Sequence, residues 1–197
     1  PRRSPPCRQT PVADLLRVDV PASINREVFE SVARTATRVC RHGGDWHGGV
    51  FAILGEGVAI DEVTKGIKVE NSLVKGILDE NHSYLDLDAN LDITKAMAID
   101  LENIMGWDGA LGIEGTHGVL IGAARKLNAA ESPLKLAGNF GTKHNSCLAF
   151  AHQHACVVVV RSDDEHLKGI SVFSHSALKL EQPECYHIIM PGQEHAA

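Results

Sequence analysis

At 197 residues, with 44% hydrophobic and 22% charged side chains, the chain has the size and composition of one globular domain with a core of its own. A net charge of −6 excludes a protein built to coat nucleic acid, and no apolar run approaches the roughly 18 residues needed to span a bilayer, so neither nucleic acid nor membrane is an expected partner. The five cysteines, Cys7, Cys40, Cys147, Cys156 and Cys185, show no C-x-x-C spacing, which argues against a disulfide framework or structural zinc and fits a cytoplasmic protein.

Residues 1–11 are rich in proline and arginine, with little that can pack, and read as a flexible arm extending to about residue 22. From Ser23 the pattern is helical: Ser23 or Asn25 can cap, and Val28, Phe29, Val32, Ala36 and Val39 recur at three- and four-residue spacing. The glycine-bounded apolar run from Gly48 to Gly55 predicts a strand covered on both faces and central in a sheet. A second helix is expected over Val58–Gly66, a turn or two over Ser72–Asp79, and a loop over the Asp-rich stretch Asn81–Asn90.

A further helix is expected from Asp92 to Gly106, with Ile93, Ala96, Met97, Leu101, Ile104 and Met105 as its apolar stripe. Ala110–Ile113 and Gly118–Ala123 read as strands joined by a turn at Glu114–Thr116, and Ser146–His154 as a helix. Cys156–Arg161 and Gly169–Ser174 read as a strand pair across a polar turn, with residues 181–197 a C-terminal extension of the main domain over residues 23–180. Interspersed helices and strands predict an α/β architecture of α+β type, a mixed sheet flanked by helices on both faces.

Two motifs 33 residues apart carry the chemistry: Asp108-Gly109-Ala110 and Gly141-Thr142-Lys143-His144-Asn145-Ser146. The first sets a carboxylate beside residues that let a ligand approach the backbone, and Asp108 is the best candidate ligand for a divalent cation that bridges phosphates. The second joins hydroxyls, a cation and an imidazole at the start of a helix, where backbone N–H groups and the helix dipole favour an anion. The bland alternatives are an ordinary Asp-Gly turn, and a plain helix start in which Thr142 or Asn145 satisfies the first turn and Lys143 and His144 face solvent. Neither a P-loop nor a dinucleotide fingerprint is present. His152 and His154 point to different sides of their helix, so they do not easily share one ion.

The order and spacing of these residues resemble the diadenylate cyclase domain, most closely its soluble archaeal type, over roughly residues 46–175. That family pairs Asp-Gly-Ala with Gly-Thr-Arg-His-Arg, and Asp108-Gly109-Ala110 and Gly141-Thr142-Lys143-His144-Asn145 occupy the matching places. Ala123–Asn128 resembles the segment whose Leu contacts adenine through its backbone, and Ser162-Asp163-Asp164 stands where the family has Ser-Glu-Glu. Lys143 and Asn145 each replace an arginine, and lysine lacks the bidentate fork that arginine offers a phosphate.

The resemblance implies a diadenylate-cyclase-like fold and an enzyme, a nucleotidyltransferase that condenses two ATP into cyclic di-AMP, with Mg²⁺ or Mn²⁺, across a face-to-face homodimer. Asp108 and His144 are then the catalytic residues, and Asp108 and Asp163 the metal ligands. Gly109, Ala110, Leu127, Gly141, Thr142, Lys143, Asn145 and Ser146 line the nucleotide. The rival readings are a relative that binds ATP or a cyclic dinucleotide without turnover, and an unrelated histidine-rich metal-binding domain.

Overall fold

The computed structural model describes residues 8–11, 18–39, 49–68, 109–129, 136, 140–162, 169–175 and 185–189. Among them, eight strands form one mixed sheet: β1 (Arg8–Pro11), β2 (Gly49–Leu54), β3 (Thr64–Lys68), β4 (Ala110–Glu114), β5 (Leu120–Leu127), β6 (Cys156–Ser162), β7 (Gly169–Ser174) and β8 (Cys185–Ile189). Three helices accompany them: α1 (Arg26–Val39), α2 (Ile60–Val63) and α3 (Thr142–Gln153). The strand order is β1-β8-β7-β6-β2-β4-β5-β3. β1 pairs with β8 and β2 with β4 in parallel, and the other neighbours are antiparallel.

The glycine-bounded run expected to be central is β2, between β6 and β4 and buried at every position. Its alternate side chains enter two cores, as the period of two in a strand requires. Phe51 and Ile53 join Val157, Val159, Ile170 and Val172 beneath Val28, Phe29, Val32 and Ala36 of α1. Val50, Ala52 and Leu54 join Val158, Val160 and Phe173 beneath Leu148, Phe150 and Ala151 of α3. The apolar spacing in α1 therefore has its cause in a buried face. Asn25 caps that helix by accepting the Glu27 N–H at 2.9 Å, and its own N–H donates to the Gly115 carbonyl at 2.8 Å. The helix start is thus tied to the β4–β5 turn.

Four expectations change. The helix predicted over Val58–Gly66 is a single turn, α2, after which Thr64 goes extended (φ −139°, ψ 164°) and opens β3. The β-branched Thr64 and Ile67 suit a strand, and pairing with β5 outweighs the helical pattern. The helix predicted from Ser146 begins earlier, at Thr142, with Gly141 as its N-cap. Within the region read as a flexible arm, Arg8–Pro11 is an edge strand that runs parallel to Cys185–Ile189, itself a strand inside the expected C-terminal extension. An edge strand tolerates Pro11, because a missing N–H there costs no interior ladder bond.

The elements predicted over Ser72–Asp79, Asn81–Asn90 and Asp92–Gly106 lie outside the described residues. Among the described residues, no helix is long and apolar enough to cross a membrane.

Candidate functional site

Ala110 of the first motif and Thr142 of the second begin two elements that share one core. Ala110 opens β4 and is buried with Cys147, Leu148 and Phe150 of α3 and with Leu136; Leu127, at the end of β5, packs against the same cluster with Phe140. Fold topology alone thus brings Ala110 of the first motif and the helix that follows Gly141 to the same face of the sheet. Asp108 and Asp163 lie outside the described residues.

Gly109 has a structural reason of its own. Its φ is +135°, and a Cβ there would sit 2.6 Å from the Ala124 carbonyl carbon and 2.8 Å from the Arg125 nitrogen. The absent side chain makes room for the backbone of β5, which is a different use from the approach of a ligand. The motif glycine is therefore required by the sheet whatever binds beside it.

At the second motif the residues divide by depth. Gly141, Thr142, Lys143 and Ser146 are exposed, Asn145 is half-buried, and His144 is buried at 2% exposure. The His144 ring stands edge-on to Phe140 (5.3 Å between centroids) and to Phe173 (6.5 Å), so it belongs to the core beneath the helix rather than to the solvated face. Asn145 uses its carboxamide locally. Its Oδ1 accepts the Leu136 N–H at 3.1 Å, and its Nδ2 donates to the carbonyls of Phe140 (3.1 Å) and Gly141 (3.3 Å). It holds the incoming loop onto the first turn.

No side chain caps α3 at Gly141, and no acidic residue lies in its first turn. The positive end of the helix dipole is consequently met by no protein carboxylate within that turn. The two cysteines behind this face are inert small hydrophobes. Burial pushes the Cys147 thiol up to about 12, and burial together with nearby Cys147 raises Cys156 as well. Among the described residues, no group of three or more His, Cys, Asp or Glu side chains is placed to hold a metal ion. His154 Nε2 lies 3.4 Å from the Asn128 carbonyl and His175 Nδ1 lies 3.1 Å from that of Ala151, so each ring has a structural contact beside α3.

Sequence reasoning missed the polar cluster on the other side of Gly109. Arg125 is buried at 2% exposure and reaches α2 and β3 with all three guanidinium nitrogens. A signal was present: adjacent Arg125 and Lys126 inside a strand put one cation on each face of the sheet, so wherever both faces are covered one of them must be buried.

No family model matches the chain, and no curated protein matches it. Among solved structures it is similar to the hypothetical membrane spanning protein from Bacillus cereus, at 15% identity and a TM-score of 0.44, covering 74% of this chain and 56% of that one. It is also similar to a double mutant of DacA from Staphylococcus aureus, at 18% identity and a TM-score of 0.41, covering 74% of this chain and 80% of that one. The chain thus spans a little over half the length of the first of these.

Proposed function

We propose that the protein is a nucleotidyltransferase that joins two ATP molecules into cyclic di-AMP. The observation that carries the reading is the uncapped start of α3, with Gly141, Thr142 and Lys143 exposed at the positive end of the helix dipole, on the core that also seats Ala110. In this reading the first-turn N–H groups, the Thr142 and Ser146 hydroxyls and the Lys143 ammonium bind the triphosphate. Gly109 and Ala110 adjoin the sugar, and Leu127 flanks adenine.

His144 and Asn145 act from behind the ligand: the buried imidazole sets the helix on the sheet, and the Asn145 carboxamide sets the loop. Asp108 is assigned to the attacking hydroxyl. The 3′-oxygen of one ATP bonds to the α-phosphorus of the other, the bond from that phosphorus to pyrophosphate breaks, and the hydroxyl proton leaves to a base or solvent. A second such step closes the ring and releases the second pyrophosphate. One subunit holding one ATP cannot complete it, so two subunits must face each other. Mg²⁺ or Mn²⁺ would stabilise charge on the phosphates, with Asp108 and Asp163 as its proposed ligands.

The test is to incubate the pure protein with ATP and either cation and to look for cyclic di-AMP and pyrophosphate by chromatography and mass. Product that disappears in Asp108→Asn supports the enzyme. ATP binding without product favours the second reading, a silent nucleotide-binding relative, for which lysine at position 143 in place of a phosphate-forking arginine is the motivating residue. Neither binding nor product sinks both.

A further inference from the structure

The register of β5 against its two neighbours slips at the same place. On one side Ala110 pairs with Arg125 and Gly112 with Gly122, so a step of two residues along β4 spans three along β5. On the other side Lys65 pairs with Lys126 and Ile67 with Ala123, again a step of two against three. The residue common to both excess stretches is Ala124, which has a left-handed φ of +48°. It is a bulge shared by two ladders, and bulges re-aim the strands around them.

Both neighbours yield space to that bulge. Gly109 lies against it on the β4 side, and Gly66, with φ +150°, lies against it on the β3 side, where a Cβ would come within 2.9 Å of the Arg125 Cα. The Ala124–Arg125 peptide is therefore enclosed between two glycines. What holds it there is the side chain of Arg125. Nε donates to Thr64 Oγ1 (2.7 Å), Nη1 to the Gly66 carbonyl (2.9 Å), and Nη2 to Asp61 Oδ1 (2.9 Å) and to the carbonyls of Thr64 (3.2 Å) and Ile60 (3.3 Å). Thr64 Oγ1 in turn donates to the Ile60 carbonyl at 2.7 Å, which leaves its lone pairs for Arg125. Planar, always charged and supplied with several donors, a guanidinium suits this many-sided grip, and a lysine could satisfy only part of it.

We propose that Arg125 is a positioning residue for the nucleotide site: by clamping the bulge onto α2 and β3, it fixes the backbone against which Gly109 is seated, and so the start of β4 at Ala110, the described end of the first motif. Arg125 touches no reacting atom in this scheme. The functional half of the inference rests on the ATP-condensing reading, and the structural half stands without it.

Hydrogen exchange and turnover of Arg125→Met separate the two. The variant keeps the length and apolar stem of the side chain and removes every donor. Its peptide over residues 109–113 is expected to exchange at least about tenfold faster than in the wild type, while the peptide over 156–162 is unchanged. The kcat for cyclic di-AMP is expected to fall by about 100-fold with little change in KM, the pattern of a misplaced motif rather than a lost binding contact. Arg125→Lys should recover part of both losses. Should Arg125→Met not fold, Thr64→Val removes the Nε acceptor together with the hydroxyl's own bond to the Ile60 carbonyl, leaves the Nη1 and Nη2 bonds in place, and should show the same contrast more weakly. Equal acceleration of both peptides, or no acceleration at 109–113, overturns the clamp. A wild type that makes no product, together with selective exchange at 109–113 in the variant, retains the clamp and removes the nucleotide reading instead.

Discussion

Two regions of the one sheet achieve strand pairing by different means. In the centre, β2 runs against β6 from Gly49–Arg161 to Leu54–Cys156, and β6 against β7 from Val157–Ser174 to Ser162–Gly169, with no break in register. Val157, Val158, Val159 and Val160 are wholly buried, so apolar side chains on both faces hold that ladder. In the wing formed by β4, β5 and β3 the register slips, backbone angles turn positive at Gly66, Gly109 and Ala124, and a buried cation is added to the apolar packing of Leu111, Ile113, Leu120 and Ala123. The centre is secured by area removed from water, and the wing by such area together with hydrogen bonds that depend on direction. Regularity makes a scaffold; the irregular wing is where the first candidate motif sits.

The largest effect should come from the centre. Phe51→Ala deletes a ring that is 2% exposed and packed in the core beneath α1, and is expected to cost ~3–5 kcal/mol in denaturant unfolding. A loss below about 1 kcal/mol would mean that the two-sided core collapses around the gap and that area is not what holds the centre. In the wing, Gly109→Ala adds only a methyl, yet that methyl meets the Ala124 carbonyl carbon at 2.6 Å with φ at +135°. A cost of about 1–3 kcal/mol is expected, together with loss of nucleotide binding. Binding lost with full stability would instead place the ligand, rather than β5, against that position.

How far each region can be read from sequence follows from the same distinction. Gly48–Gly55, Cys156–Arg161 and Gly169–Ser174 were legible as strands because an apolar run between polar or glycine boundaries is a local pattern with a local consequence. The bulge at Ala124 was not. Nothing in Ala123-Ala124-Arg125 marks a left-handed residue, since the slip arises only when β3 and β4 pair on either side and two distant glycines admit it. Arg8–Pro11 and Cys185–Ile189 were missed for a related reason: each becomes a strand through pairing that brings the two ends of the described chain together. At the second motif, the sequence pointed to a helix start but began the helix at Ser146, four residues after Thr142, and neither reading of it placed the His144 ring between Phe140 and Phe173.

Asn145 secures the connection that follows β5 in sequence, because its carboxamide joins the loop at Leu136, Phe140 and Gly141 to the helix that covers the centre. Asn145→Ala leaves the Leu136 N–H without its acceptor and should cost about 1–2 kcal/mol, less than the wing glycine. Limited proteolysis should then cut near residues 136–141 first. If the variant is as stable as the wild type but binds ATP less well, Asn145 is a ligand contact before it is a loop staple, and the bland half of the helix-start reading fails.

The smallest effects discriminate best, since one substitution should change sign between the regions. Ala52→Gly, in the regular centre at 1% exposure, removes a packed methyl and loosens the unfolded chain, so it should destabilise by about 1 kcal/mol or slightly more. Ala124→Gly makes the same chemical change where φ is +48°. An L-residue in the left-handed region costs ~1–2 kcal/mol, against which the added freedom of glycine in the unfolded chain weighs ~0.5–1 kcal/mol. The net is a gain of about 0 to 1.5 kcal/mol, readable as a higher denaturation midpoint at constant m-value. If both variants lose stability alike, the Ala124 methyl contributes packing that outweighs its backbone strain, and the wing is held by area as the centre is. If the signs differ, Ala124 is a strained residue that Arg125 and the two glycines hold in place, and relieving the strain should also loosen the seat of Gly109.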